Sequence, residues 1–286
     1  MLIVGCGDIG LRVLKLLRPG WRVLALTSTA ARLPLLRALG AVPLLGNLDQ
    51  PATLGRLSGL ADAVLHLAPP PPRGDSDTRT RALLQALSRG GRVQRLVYAS
   101  TSGVYGDCAG ARFDETRAVN PTTTRAHRRV DAEAQVRHFG RHTGARVTIL
   151  RIPGIYASDR AGGHPRERLL RCTPVLVPQD DVHTNHIHAD DLARACVAAL
   201  LRGRPQRVLH VSDDTELTMG DYFDLAADLC GVPRPPRITR AEATTVMDAM
   251  QLSFMGESRR LDNHRLKTEL GLLLRYPTVR EGLMNG

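Results

Sequence analysis

Three glycines near the start of the chain stand at a spacing that can hold a phosphate. Gly5, Gly7 and Gly10 form a G-x-G-x-x-G pattern within MLIVGCGDIG. The apolar run Leu2, Ile3, Val4 precedes them, and Leu11, Val13, Leu14, Leu16 and Leu17 follow at roughly helical spacing. Strand, glycine turn and helix in that order are the fingerprint of a dinucleotide-binding unit. Gly5 permits the tight turn, Gly7 lets the backbone approach a pyrophosphate, and Gly10 lets the helix lie close on the strand. Asp8 and Ile9, between the last two glycines, open the helix. Its N-terminus presents unpaired N–H groups and the positive end of its dipole to the phosphates.

The second candidate group selects among dinucleotides. Trp21 to Leu26 (WRVLAL) reads as the second strand, and an NAD site usually carries a carboxylate at that strand's end, on the ribose hydroxyls. Here Thr27, Ser28 and Thr29 stand there, with Arg32 a helical turn later. Nothing in the run repels a 2′-phosphate; Ser28 and Thr29 can donate hydrogen bonds to it and Arg32 can pair with it. The predicted cofactor is therefore NADP, with NAD as the alternative. Under that alternative Ser28 or Thr29 caps the next helix and Arg32 is a solvated charge.

These residues need a scaffold, and the pattern supplies one. Ala41 to Leu45, Ala63 to Ala68, Arg95 to Ala99 and Arg146 to Arg151 read as further strands. Asp49 to Leu60 reads as a short helix and Thr78 to Leu87 as a longer one. Alternating strands and helices predict an α/β fold, a Rossmann-like, doubly wound parallel sheet. Pro69 to Pro72 break the chain at the fourth strand's C-terminal end, where such sheets bind ligands. His66, inside that strand, reads as a packed core histidine.

Composition narrows the class. The chain has 286 residues, 43% of them hydrophobic and 3% aromatic, so the core must be mostly aliphatic. The formal charge is +11, and Lys15 and Lys267 are its two lysines among 39 basic residues. The arginines are scattered and few aromatics accompany them, which argues against nucleic-acid binding. Five cysteines without a C-x-x-C pair suggest neither a zinc ribbon nor a disulfide framework. A first strand starting at residue 2 leaves no room for a signal peptide, and no apolar run of about 20 residues suggests a membrane span. The expectation is a cytoplasmic protein with no membrane partner.

A second landmark, Ser100 to Asp107 (STSGVYGD), follows the fifth strand. With the glycine fingerprint it makes the chain resemble the extended short-chain dehydrogenase/reductase superfamily, which includes NAD-dependent epimerases and dehydratases. Asn47-Leu48 resembles that family's adenine contact, and His66-Leu67-Ala68 its strand end. Arg151 to Tyr156 (RIPGIY) and Ile187 to Leu192 (IHADDL) resemble later family segments. The resemblance implies a cofactor lying along Gly5 to Gly10, Asn47, Leu48, Ala68 and Pro69. It also implies a Ser or Thr that hydrogen-bonds the substrate oxygen; counting back from Tyr105 puts this on Thr101, with Ser100 and Ser102 beside it.

The family's catalytic helix carries Tyr-x-x-x-Lys, and here the sequence departs. The segment from Pro121 to Glu133 reads PTTTRAHRRVDAE. Matching the family glutamate to Glu133 puts Arg125 at the tyrosine position and Arg129 at the lysine position; a one-residue shift gives Thr124 and Arg128. Arginine stays protonated, so Arg125 cannot shuttle a proton near neutral pH, although it can polarise a carbonyl or bind an anion. Arg129, on the same helix face, can hold a ribose or phosphate. Tyr105 is the remaining phenol, and an arginine beside it would have to lower its pKa for it to act as a base. The alternative for the two arginines is a solvated helix face, paired with Asp131 or Glu133, and for Tyr105 a tyrosine that packs and hydrogen-bonds locally.

From about Ile155 the alternation becomes irregular. Residues 1–155 read as the dinucleotide-binding core and 156–286 as a smaller substrate lobe interleaved with returning core elements. His183, His186 and His188 lack further ligands at metal-binding spacing, so no metal is expected. Ser258 to Leu270 resembles the family's terminal helix. The expected function is an atypical NAD(P)-dependent oxidoreductase or epimerase/dehydratase-like enzyme acting on a small carbonyl or sugar-like substrate, possible as a homodimer. The alternative is a nucleotide-binding sensor that has lost the chemistry.

Overall fold

The computed structural model describes residues 1–17 and 20–285. Its first half runs β1 (Leu2–Val4), α1 (Asp8–Leu16), β2 (Leu24–Thr27), α2 (Leu33–Ala38), β3 (Val42–Leu45), β4 (Ala63–His66), α3 (Thr78–Ser88), β5 (Arg95–Thr101), β6 (Arg112–Phe113) and α4 (Thr124–Thr143). The chain continues with β7 (Arg146–Ile152), β8 (Gly154–Tyr156), α5 (Arg166–Leu170), β9 (Val175–Leu176), β10 (His183–Thr184), β11 (His186–His188), α6 (Ala189–Arg202) and β12 (Arg207–His210). It closes with β13 (Leu217–Thr218), α7 (Met219–Cys230), β14 (Arg237–Ile238), α8 (Arg240–Val246), α9 (Ala249–Met255), β15 (Arg260–Leu261), α10 (His264–Glu269) and α11 (Val279–Asn285).

Seven strands form one sheet in the order β12-β7-β5-β4-β1-β2-β3, every neighbouring pair parallel. The chain winds outward from β1 through β2 to β3, then returns beside β1 as β4 and winds the other way. The order reverses between β1 and β4, and the carboxyl ends of these strands flank the crevice where such sheets take ligands. Helices cover both faces, which is why the strands are unbroken apolar runs. Ile3, Leu65, Val97 and Leu150 face α1 and α6; Leu2, Val4, Leu96, Tyr98 and Ile149 face α3 and α4. The remaining strands pair in twos, β11 with β8, β14 with β9, β10 with β13 and β15 with β6, and a separate apolar cluster packs α7 against Val175, Leu176 and Tyr156. No helix among the described residues is long and apolar enough to cross a membrane.

Several predicted bounds move, each for a local reason. The second strand begins at Leu24, because Trp21 and Arg22 lie exposed ahead of the sheet. The segment read as a helix over 49–60 is a 3-10 turn, Pro51–Leu57. The expected terminal helix over 258–270 starts as a strand. Arg260 and Asp262 donate their backbone N–H to the carbonyls of Ala111 and Phe113, so the helix waits until His264, whose N–H the Asp262 carboxylate accepts.

A buried ion pair fixes α4 to the sheet. Glu133 is 4% exposed and Arg151 of β7 is 3% exposed. They meet through Nη2–Oε2 at 2.7 Å and Nε–Oε1 at 3.1 Å. The Ser100 hydroxyl donates to the same carboxylate at 2.7 Å, and Arg151 Nη1 donates to the Tyr105 hydroxyl at 2.6 Å. Removing Glu133 strands Arg151 in the interior, and removing Arg151 leaves Glu133 only the longer, half-exposed contact with Arg137 at 3.6 Å; either loss costs more than the pair's net contribution. Arg151→Met should lower the unfolding free energy by about 3–5 kcal/mol, while Arg151→Met combined with Glu133→Leu should recover most of that loss. Urea unfolding of the two variants measures both, and a double variant as unstable as the single would contradict this reading.

Candidate active site

Three cavities run end to end along the carboxyl edge of the sheet. The first, about 450 Å³, lies between β1, β2 and β4 and is walled by Gly5, Gly7, Ser28, Arg32, Asn47, Leu48, Ala68 and Pro69. The second, about 300 Å³, shares Gly5, Gly7 and Leu67 with it and adds Asp8, Ile9, Ser100, Thr101, Arg129 and Arg160. The third, also about 300 Å³, shares Thr101 and Pro153 with the second and opens toward the C-terminal elements. Gly10 belongs to the frame of this crevice and lines none of the three; a Cβ there would lie 3.0 Å from Cys6 Sγ and 3.4 Å from an Ile3 methyl, so its absence lets α1 sit on β1.

The glycine turn is shaped for close approach. Gly5 has φ +82° and a Cβ there would lie 2.5 Å from the Ala68 backbone nitrogen, so a side chain is excluded both by conformation and by space. Gly7 faces open space on its Cβ side, in the wall common to the first two cavities. Beside it, Arg32 reaches back and donates Nη2 to the Cys6 carbonyl at 2.7 Å. Thr29 takes the N-cap position of the following 3-10 turn, but its side chain makes no capping bond. The carboxylate in this cavity is Asp49, held bidentately by Arg79 at 2.7 and 2.6 Å. Arg79 and its hydrogen bonds keep the Asp49 carboxyl below its usual range. Asn47 spends its side-chain oxygen on the Asp49 N–H at 3.0 Å, which shapes the loop.

The helix register resolves clearly. Arg125 lines the third cavity and Arg129 the second, one turn apart on α4. Arg128, from the shifted register, is buried elsewhere and donates to the Gly74 carbonyl at 2.7 Å. Arg129 Nη1 donates to the Ala99 carbonyl at 2.6 Å and to the Tyr98 hydroxyl at 3.1 Å. Arg125 stacks on Phe254 with its guanidinium carbon 4.7 Å from the ring centre. The Thr101 side chain accepts the Gly103 N–H at 3.2 Å, and Thr101 lines both cavities at their junction.

Tyr105 does not join them. It is 1% exposed and lies in the wall of none of the three cavities. Its hydroxyl accepts from Arg151 and lies 2.6 Å from His210 Nε2, while His210 Nδ1 lies 2.9 Å from the Asp262 carbonyl. With that carbonyl taking a proton from Nδ1, Nε2 is the acceptor and the phenol proton is committed to it. Burial pushes the Tyr105 phenol up to about 12, outweighing Arg151. The cation beside this phenol is Arg151, not Arg125 or Arg129, and desolvation outweighs it.

Several cavity residues escaped the sequence reading. His183, Asn185 and His186 line the third cavity, as do Arg168, Tyr222 and Phe254. Among the described residues no three His, Cys, Asp or Glu side chains gather where they could hold a metal ion. His186 instead stacks on Tyr222 with ring centres 4.1 Å apart, and burial lowers its pKa to about 3.

One family model matches the chain, and known proteins share its sequence or its fold. The model of the NAD dependent epimerase/dehydratase family matches residues 1–212. The chain is 24% identical to Protein YeeZ of Escherichia coli (strain K12) over 283 residues, covering 96% of this chain and 95% of YeeZ. Among solved structures, a functionally unknown conserved protein from Silicibacter pomeroyi superimposes with a TM-score of 0.82 at 30% identity, covering 99% of this chain and 95% of that one. A double mutant of the dTDP-glucose 4,6-dehydratase DesIV from Streptomyces venezuelae, with NAD and DAU bound, shares the fold at a TM-score of 0.78 and 22% identity, covering 99% and 94%.

Buried histidines give the molecule a pH signature. His66 is fully buried, with Nε2 2.8 Å from the Thr80 hydroxyl, and burial, aided by Arg129, lowers its pKa to about 3. The unfolded chain therefore takes up this proton near pH 6.5 while the folded chain does not, so stability is lost as pH falls from 6.5. His66→Gln should shrink the loss of unfolding free energy between pH 7 and pH 5 by about 2 kcal/mol. Unfolding curves at the two pH values test it; an unchanged difference would mean His66 is not buried neutral.

Proposed function

Because the chain belongs to the NAD dependent epimerase/dehydratase family, we propose that it is an NADP(H)-linked oxidoreductase or epimerase/dehydratase-like enzyme for a small carbonyl or sugar-like substrate. The observation that carries this reading is the continuity of the three cavities through Gly5 and Gly7 at one junction and Thr101 at the other. An extended dinucleotide fits such a track. The open side of Gly7, the positive N-terminal end of α1 and the cationic Arg32 suit its phosphates. Residues 1–155 supply most of the cofactor's wall in this reading, and 156–286 most of the substrate wall.

When bound, the dinucleotide supplies or accepts a hydride. The protein's own residues bind and orient. Ser28, Thr29 and Arg32 take the 2′-phosphate. Asn47, Leu48, Ala68 and Pro69 flank the adenosine, and Asp8 and Ile9 flank the pyrophosphate. Arg129 holds the ribose next to the reacting ring, in place of the family lysine. Thr101 hydrogen-bonds the substrate oxygen at the junction of the cavities. Arg125, fixed on Phe254, stabilises negative charge developing on that oxygen without taking its proton, since a guanidinium does not deprotonate. Arg32 favours NADP(H), and NAD is the second reading because DesIV was solved with NAD bound.

Calorimetric titration should show NADPH binding at least tenfold more tightly than NADH, with the difference lost in Arg32→Ala. Equal or tighter NADH binding would overturn the phosphate assignment. In a carbonyl-reduction assay Thr101→Ala should lower kcat by about 10²-fold with NADPH affinity unchanged, the cost typical of losing one donor at a developing oxyanion. Undiminished turnover would remove Thr101 from the chemistry, and binding without turnover of any carbonyl would favour a sensor.

A further inference from the structure

Two cations line the middle cavity, Arg129 and Arg160. Arg129 is bound to the Ala99 carbonyl. Arg160 comes from the loop over 157–165 between β8 and α5 and lines the cavity with Gly5, Gly7 and Ile9. Its Nη1 donates to Asp8 Oδ2 at 2.5 Å. Asp8 opens α1, so this ion pair lies across the helix N-terminus that faces the track.

We propose that Arg160 is a ligand of the cofactor's pyrophosphate, brought onto the glycine turn from the substrate side, and that Asp8 holds it in position in the free protein. The proposal rests on the dinucleotide reading above. Three observations support it. First, a carboxylate at this helix end would repel a pyrophosphate, and Asp8 is paired through both oxygens: the second takes Arg12 Nε at 3.1 Å, an arginine it shares with Asp159 and Asp190. Arg160 can therefore turn to a phosphate while Asp8 keeps a partner. Second, Arg12 is not free for that task. It also binds Asp190 at 2.5 Å and pairs with Asp159, which ties the loop, α1 and α6 together beside the cavity. Third, the loop is shaped around the Arg160 stem. A Cβ at Gly163 would fall 2.7–2.8 Å from Arg160 Cβ, Cγ and Cδ, so the absence of a side chain at Gly163 is what lets the arginine lie in its observed course. The same loop leads into α5, which carries Arg168 to the third cavity, so a dinucleotide grasped by Arg160 also orders a wall of the substrate site.

The test compares fragments that contain or lack the pyrophosphate. NADPH, ADP-ribose and adenosine 2′-monophosphate are titrated into the full-length protein and into Arg160→Ala, Arg160→Lys and Gly163→Ala, with thermal melting recorded for each. Arg160→Ala should weaken NADPH and ADP-ribose about tenfold and leave adenosine 2′-monophosphate unchanged. Arg160→Lys should regain part of the loss. Gly163→Ala, which keeps the charge and displaces its stem, should weaken the same two ligands. Wild-type affinity for all three ligands in Arg160→Ala would overturn the proposal, as would an equal loss for adenosine 2′-monophosphate, which would report general damage. If the unaltered protein bound none of the three, the dinucleotide reading itself would fall, and the proposal with it.

Discussion

The ion pair between Glu133 and Arg151 is the constraint on which the site depends. Two charges removed from water must satisfy each other and every remaining lone pair, so their surroundings have little freedom. Ser100 closes the carboxylate and Tyr105 closes the guanidinium. The chain of contacts then passes through His210 to the Asp262 carbonyl. In this way one helix, three sheet strands and the C-terminal segment are fixed to each other. Because Glu133 is locked, the α4 face four and eight residues earlier is locked as well, and that face carries Arg129 and Arg125 to the second and third cavities.

The same network decides the chemistry. A tyrosine spent on an interior hydrogen-bond chain, with its pKa raised by burial, is a structural group. The positions on α4 that face the track carry guanidinium groups, which hold charge and geometry but release no proton. Thr101 and Pro153 stand where the second and third cavities meet. Charge around the track is paired: Arg79 holds Asp49, Arg160 and a shared Arg12 hold Asp8, and Arg32 donates to the neutral Cys6 carbonyl.

What the sequence made legible was local. Strand runs buried on both faces are continuous in apolar residues, so the parallel sheet could be read from composition along the chain. The glycine turn and Arg32 lie within one supersecondary unit, where spacing alone carries the geometry. The α4 register was legible because Glu133 served as a marker. What stayed hidden depends on contacts across long separations. Tyr105 turns inward because a 3-10 turn follows β5 and its partners stand 46 and 105 residues away. Arg160 reaches the cavities from a loop, and Arg168 and Phe254 from the short helices α5 and α9, with no periodic pattern to mark them. The Ser258 to Leu270 segment misled because its helical composition yields to backbone pairing with residues near 112, which no local propensity encodes.

The most direct test of the central claim is a crystal structure of the protein grown with NADPH. The account predicts density for an extended dinucleotide running through the three cavities, with the adenosine 2′-phosphate at Arg32, the pyrophosphate over Gly7 and the nicotinamide against Thr101. Density for the cofactor elsewhere, or a nicotinamide directed away from the Thr101 junction, would contradict it.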